Sequence, residues 1–164
     1  MARITLKGNP INTSGTLPAV GSQAKDFSLV KQDLSAATLA SFAGKKKILN
    51  IFVSLDTSIC ANSIKKFHEA AAKKTNLVVL NISGDLPFAA KRFCGAEGIE
   101  NAVTLSAFRS SFADDYGLRL LDGPLQGLCA RSVIVLDENN RVLHTEQVPE
   151  IGQEPDYAKA LAKV

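Results

Sequence analysis

The sequence predicts an α/β fold, with a central mixed sheet flanked by helices and a β-hairpin set before it. Three observations carry that reading. Two runs, "ILNIFVS" at 48–54 and "NLVVLNIS" at 76–83, are apolar on both faces, as interior strands covered by helices must be. Each is followed by a helical pattern: Cys60, Ile64, Phe67 and Ala71 share one stripe after the first, and "GDLPFAAKRFCGAEGI" follows the second. Finally "ARSVIVLDENNRVLHTEQV" at 130–148 alternates around "DENN" as an antiparallel hairpin does.

Taken in order, "RITLKGN" and "INTSGTL" alternate around "GNP" and predict a hairpin within residues 1–20, an appendage laid beside the main fold. A short strand follows at Phe27 to Val30, then a turn at Asp33 and a brief helical segment near Leu39 to Phe42. The strand from Ile48 to Ser54 leads into a helix running to about Lys74. After the strand at 76–83, Asp85 is placed to cap a second helix, Pro87 sits in its first turn, and Gly95 is expected to end it. "AVTLSAF" reads as a short strand and "RSSFADDYGL" as a helix. The hairpin at "DENN" comes next, and a last helix is expected to start at Pro155. Parallel strands joined through helices and closed by an antiparallel hairpin and one more helix are the layout of a thioredoxin-like domain.

Composition narrows the function. With 164 residues, of which 46% are hydrophobic and 21% charged, the chain suits one globular domain, residues 1–164. The net charge of +3 comes from 19 basic and 16 acidic residues interspersed along the chain, so nucleic acid is not an expected partner. The one basic run, "GKKK" at 44–47, abuts a strand and reads as a solvated edge. No stretch approaches the ~18 apolar residues a membrane span needs, and "MARITLKGNP" lacks the apolar core of a signal peptide. A cytoplasmic protein is expected. Cys60, Cys94 and Cys129 form neither a dense disulfide framework nor a C-x-x-C pair.

Cys60 is the candidate nucleophile. The first turn of a helix favours a thiolate, because its free amide N–H groups and the macrodipole put partial positive charge there. Thr57 lies where the cap hydroxyl would be, able to accept an amide hydrogen bond or to donate one to a bound oxygen. The strand delivers this junction to the carboxyl edge of the sheet, where open α/β sheets hold ligands. A cysteine on the Ile64 and Phe67 stripe can equally be a small buried hydrophobe.

"FVSLDTSICANSIKKF", "DLPFAAKRFCGAEGI", "TLSAFR", "YGL", "DGPLQGLCARSVIVLDENNRV" and "EPDY" together resemble the thiol peroxidase branch of the peroxiredoxins, the atypical two-cysteine kind found in bacteria. The resemblance covers essentially the whole chain, including the N-terminal hairpin. It implies that Cys60 is the peroxidatic cysteine, Thr57 the hydroxyl that positions the peroxide, Cys94 the resolving cysteine and Arg131 the arginine that supports the thiolate. It further implies an intramolecular Cys60–Cys94 disulfide, thioredoxin as reductant, a homodimer, and no metal or organic cofactor. One position departs from the P-x-x-x-T-x-x-C pattern: Val53 stands where the family has proline. Valine keeps an extended backbone but not the fixed φ or the ring, so weakened activity with an intact fold is expected.

The other candidates have plainer readings. Arg131 opens an apolar strand, and its charge could belong to an edge. Cys94 could be a buried thiol on its helix; it lies at the far end, so local unfolding is expected before a bond to Cys60 forms. Cys129 reads as structural. His68 falls eight positions after Cys60, about 12 Å along a helix, too far to serve as its base. His144 reads as a surface or packing residue, and no metal-ligand spacing is present. A redox sensor or a thiol-disulfide oxidoreductase without peroxidase turnover is the alternative function. The missing C-x-x-C argues against the oxidoreductase.

Overall fold

A computed structural model describes residues 1–164. Strands β1 (Arg3–Leu6) and β2 (Asn9–Asn12) form a separate antiparallel hairpin. The main sheet comprises β3 (Leu29–Val30), β4 (Ala36–Ala37), β5 (Lys46–Ile51), β6 (Leu77–Ser83), β7 (Val103–Ser106), β8 (Ser132–Leu136) and β9 (Val142–Gln147). Four helices complete the fold: α1 (Ser58–Ala72), α2 (Pro87–Glu97), α3 (Phe112–Asp115) and α4 (Tyr157–Leu161), with a 3-10 turn at Leu39–Phe42. The sheet order is β4-β3-β7-β6-β5-β8-β9.

The strand pairing follows from the connections. β5 and β6 are joined through α1 and β6 and β7 through α2, so both pairs are parallel. β8 lies antiparallel on the other flank of β5, and β9 returns beside it through a tight turn. In that turn the Asp137 carboxylate accepts from the amides of Asn139 and Arg141, and Asn140 takes the left-handed conformation at φ 66. The alternation of β5 sends Leu49 and Ile51 to one face, against Leu80, Ile82, Ile134 and Phe112. Ile48 faces the other way, onto Phe67 of α1 and Ala160 of α4.

Two asparagines interrupt the apolar interior strands on the helix face. Asn50 donates to Asn81 Oδ1 at 3.0 Å and to Ser63 Oγ at 3.3 Å, and Ser63 in turn bonds the Cys60 carbonyl at 2.8 Å. The network ties α1 to the sheet through buried hydrogen bonds.

Several boundaries differ from the sequence reading. The hairpin is confined to residues 3–12, and its turn is Lys7–Gly8, both at positive φ, rather than "GNP". β4 was not foreseen. It is a two-residue strand of alanines, and alanine carries little strand signal. β5 is assigned from Lys46 to Ile51, although the Phe52 amide still bonds Ile82 of β6. The helix at "RSSFADDYGL" shrinks to Phe112–Asp115. α2 runs past Gly95 and ends at Gly98 (φ 69), where the Ile99 amide bonds back to the Cys94 carbonyl at 3.0 Å and Ile99 enters the core. Asp85 does not cap α2, since Leu86 occupies the cap position and the carboxylate reaches elsewhere. α4 begins two residues after Pro155, because Asp156 supplies the cap by accepting from the Lys159 amide.

Candidate active site

β5 ends at the carboxyl edge of the sheet, and the loop 54–57 turns the chain into α1 with Thr57 as N-cap. The first helical bond runs from the Ala61 amide to the Thr57 carbonyl, which leaves the amides before it without helical partners. Cys60 is the third residue of the helix and is 0% exposed. The Thr57 hydroxyl does not accept an amide; it donates to the Ser54 carbonyl at 3.1 Å, and the residue is exposed.

Arg131 reaches Cys60 because of register. Ile51 pairs with Ser132 across β5 and β8, so the preceding residue, Arg131, lies beside the end of β5. The Arg131 Nη2 donates to Cys60 Sγ at 3.2 Å and its Nε to the Ile151 carbonyl at 3.0 Å. The side chain is 3% exposed, and its Nη1 is buried without a hydrogen-bond partner. A buried guanidinium with one donor free is suited to an incoming oxygen.

Cys94 belongs to the same apolar cluster as Cys60, with Phe52, Leu55, Ile64 and Phe93 around them. Both thiols are free. Burial pushes the Cys94 thiol above its ordinary value, and a hydrogen bond from Gln32 partly offsets this. Gln32 Nε2 lies 3.5 Å from Cys94 Sγ and 2.7 Å from Thr104 Oγ1. Cys129 is packed on the opposite face of the sheet, where burial raises it to about 11.

Asp85 is the residue that sequence reasoning misplaced. Its carboxylate accepts from Ser54 Oγ at 2.9 Å, the Leu55 amide at 2.8 Å and Ser83 Oγ at 2.6 Å. It thereby clasps the loop before Cys60 to the chain just before α2. Position in sequence announced only a carboxylate ahead of a helix. Gln32 and Ile151 were missed as well, since their contacts are made across the fold and leave no local pattern. Elsewhere, His68 is half-buried on α1, and His144 pairs with Val135 in the β8–β9 ladder with its Nε2 unpartnered. No three His, Cys, Asp or Glu side chains come together as metal ligands.

Val53 is 4% exposed and packs with Ile4, Ile11, Leu120, Ala130 and Ile151. It sits beneath the N-terminal hairpin, in a different cluster from Cys60, and its amide donates no hydrogen bond within the chain.

A mixed sheet with helices packed on it and a cysteine at the mouth of the helix after a central strand is a thioredoxin-like arrangement. The redoxin family profile matches residues 19–161. The thiol peroxidases of Mycobacterium tuberculosis (strain ATCC 25618 / H37Rv) and Mycobacterium bovis are each 54% identical over 162 residues, covering 99% of this chain and 98% of theirs. Among solved structures, a peroxiredoxin-like protein from Aquifex aeolicus superposes with a TM-score of 0.93 at 34% identity, over 99% of this chain and 95% of that one. The thiol peroxidase from Chromobacterium violaceum shares the fold at a TM-score of 0.89 and 22% identity, over 96% and 91%.

The chain belongs to the redoxin family, in its thiol peroxidase branch. It is an enzyme, a thiol-dependent peroxidase.

Proposed function

We propose that residues 1–164 act as one domain that reduces hydrogen peroxide and organic hydroperoxides through Cys60, with Cys94 as the resolving thiol. The observation that carries this reading is the 3.2 Å contact between the buried Arg131 guanidinium and Cys60 Sγ at the start of α1. In the first step the Cys60 thiolate attacks one peroxide oxygen. An S–O bond forms, the O–O bond breaks, and the leaving alkoxide or hydroxide takes up a proton to depart as alcohol or water. The free Arg131 Nη1, the first-turn amides and the Thr57 hydroxyl, after turning from the Ser54 carbonyl, hold the peroxide and stabilise charge on the departing oxygen.

Cys60 is left as a sulfenic acid. The Cys94 thiolate then attacks its sulfur, an S–S bond forms, and hydroxide leaves to be protonated to water. Both sulfurs are enclosed by their helices, so local opening of α2 brings them within bonding distance and exposes the disulfide. An external dithiol, which we take to be thioredoxin, reduces it by exchange.

The partner in solution is proposed to be a second copy of the chain. Leu86, Phe88 and Phe108 are 51%, 67% and 46% exposed. Hydrogen bonds from Ser106 Oγ to the Asp85 carbonyl and from the Phe108 amide to Ser106 Oγ draw their segments together, giving an apolar patch beside the site. No helix is long and apolar enough to cross a membrane. We place the enzyme in the cytoplasm, where thiols such as its three unpaired cysteines are kept reduced.

The test is peroxide-dependent NADPH oxidation coupled through thioredoxin and its reductase. Wild type should turn over continuously, and Cys60→Ser should show none above background. Turnover retained in that variant removes Cys60 from the chemistry, whereas a single stoichiometric oxidation in wild type would mark a sensor.

A further inference from the structure

We infer that the N-terminal hairpin is a positioning element of the active site, acting on Cys60 through Arg131. The inference rests on the reading of Arg131 as the support of the Cys60 thiolate. A continuous path of hydrogen bonds joins the two. At the hairpin end, the Lys7 and Gly8 amides, turned to one side by their positive φ, donate to the Glu150 carboxylate at 2.9 and 3.2 Å. Thr5 Oγ1 donates to the same carboxylate at 2.6 Å. Consecutive amides in a left-handed turn form an anion-binding concavity, and the hydrogen bonds from Thr5 and these amides hold the Glu150 carboxyl down at about 2.

Glu150 carries its neighbours with it. The Thr5 amide bonds the Pro149 carbonyl at 2.8 Å, and the Ile151 amide bonds the Thr5 carbonyl at 2.9 Å, so β1 grips residues 149–151 as a strand would. The Ile151 carbonyl then receives Arg131 Nε at 3.0 Å, and the other end of that guanidinium meets Cys60 Sγ at 3.2 Å. Packing runs the same way, because Ile4 and Ile11 of the hairpin bury Ile151 together with Ala130, which precedes Arg131. The guanidinium is planar, so fixing Nε on a carbonyl fixes where its two terminal nitrogens point. The hairpin thus sets the direction of the charge that faces the sulfur, although none of its residues touches the reacting atoms.

A merely structural hairpin would lower stability without reference to Arg131. A double-mutant cycle separates the two roles. The second-order rate of Cys60 oxidation by hydrogen peroxide is measured by stopped flow for wild type, Glu150→Ala, Arg131→Lys and the double variant, with thermal melting as a check that each is folded. Glu150→Ala should slow oxidation about fivefold in wild type and change it less than about twofold on Arg131→Lys, since the route through the guanidinium is already broken. Should Glu150→Ala fail to fold, Thr5→Val removes one carboxylate contact with the backbone grip intact and enters the same cycle. An equal slowing in both backgrounds, or none in wild type, overturns the positioning role alone. A wild-type rate for Arg131→Lys overturns the reading of Arg131, and the path falls with it.

Discussion

In the proposed reaction Cys60 draws on two neighbours of different kinds: the open first turn of α1 and the Arg131 guanidinium, whose Nη2 lies 3.2 Å from Sγ. Replacing Arg131 by methionine keeps most of the stem and removes the charge. Oxidation of Cys60 by peroxide is expected to slow about a hundredfold, roughly 2.7 kcal/mol of transition-state stabilisation. A loss under threefold in stopped-flow traces would leave the helix mouth as the main source of activation. Cys129 makes the contrast, because burial that raises its thiol to about 11 keeps it protonated and inert at neutral pH. Turnover of Cys129→Ser should therefore match wild type, and a Cys94–Cys129 or Cys60–Cys129 disulfide found by peptide mapping would contradict that. Val53 lies under the hairpin, in the cluster that carries Ile151 and Ala130, so an effect on Cys60 is expected to run through the proposed Arg131 support. With no hydrogen bond from its amide to lose, Val53→Pro should fold. Its oxidation rate should rise by something on the order of tenfold as the stiffer backbone holds that cluster in place. An unchanged rate would show that valine already suffices. At this scale the sequence announced Cys60 and Thr57 by their place before and inside a helix. For Arg131 it offered only a charge at the start of a strand, because the contact that matters depends on the register between β5 and β8.

Between α1 and α2 the question is how two buried thiols meet. α2 is attached to the Cys60 segment by the Asp85 clasp and by two surface ion pairs, Arg92 with Asp56 at 3.5 Å and Lys65 with Glu97 at 2.5 Å. Exposed pairs contribute little, so the half-buried clasp should dominate. Asp85→Asn weakens hydrogen bonds that the carboxylate makes as an anion, by about 1 kcal/mol. Disulfide formation after oxidation, the phase that does not depend on peroxide concentration, should speed up roughly fivefold. A slower phase would mean that Asp85 helps the two segments meet rather than holding them apart. The pH dependence has a definite sign. Burial raises the Cys94 thiol above its ordinary value of 9.0, so its thiolate is scarce at neutral pH and the same phase should still be accelerating above pH 9.0. A plateau below that value would show that α2 is already open in the sulfenic form. Most elements were legible from periodicity, while their ends were decided by particular residues. Gly98 rather than Gly95 stops α2 because Ile99 must fold back into the core, and Asp156 rather than Pro155 starts α4 because an acceptor for the Lys159 amide is needed.

For the whole molecule, the central strands and their crossover helices could be read directly, since interior strands must be apolar on both faces. The hairpin could be read as a hairpin, but not what its turn holds. Alternation shows that two short strands pair, but not that their turn amides are filled by a carboxylate from far along the chain. Exposed Leu86 and Phe88 are distant in sequence from exposed Phe108, and the bond from Ser106 Oγ to the Asp85 carbonyl ties the two segments together. Phe88→Glu should shift the protein toward monomer in sedimentation velocity. An unchanged sedimentation coefficient would place the self-association face elsewhere.

Reduced protein treated with one equivalent of hydrogen peroxide, quenched with an alkylating agent and mapped by mass spectrometry puts the chemistry to the most direct test. The expected product is a single disulfide joining the peptides of Cys60 and Cys94, with Cys129 alkylated and a loss of two hydrogen atoms from the intact chain. Cys60 and Cys94 both alkylated after peroxide has been consumed, or a disulfide through Cys129, would contradict the reaction proposed for this site.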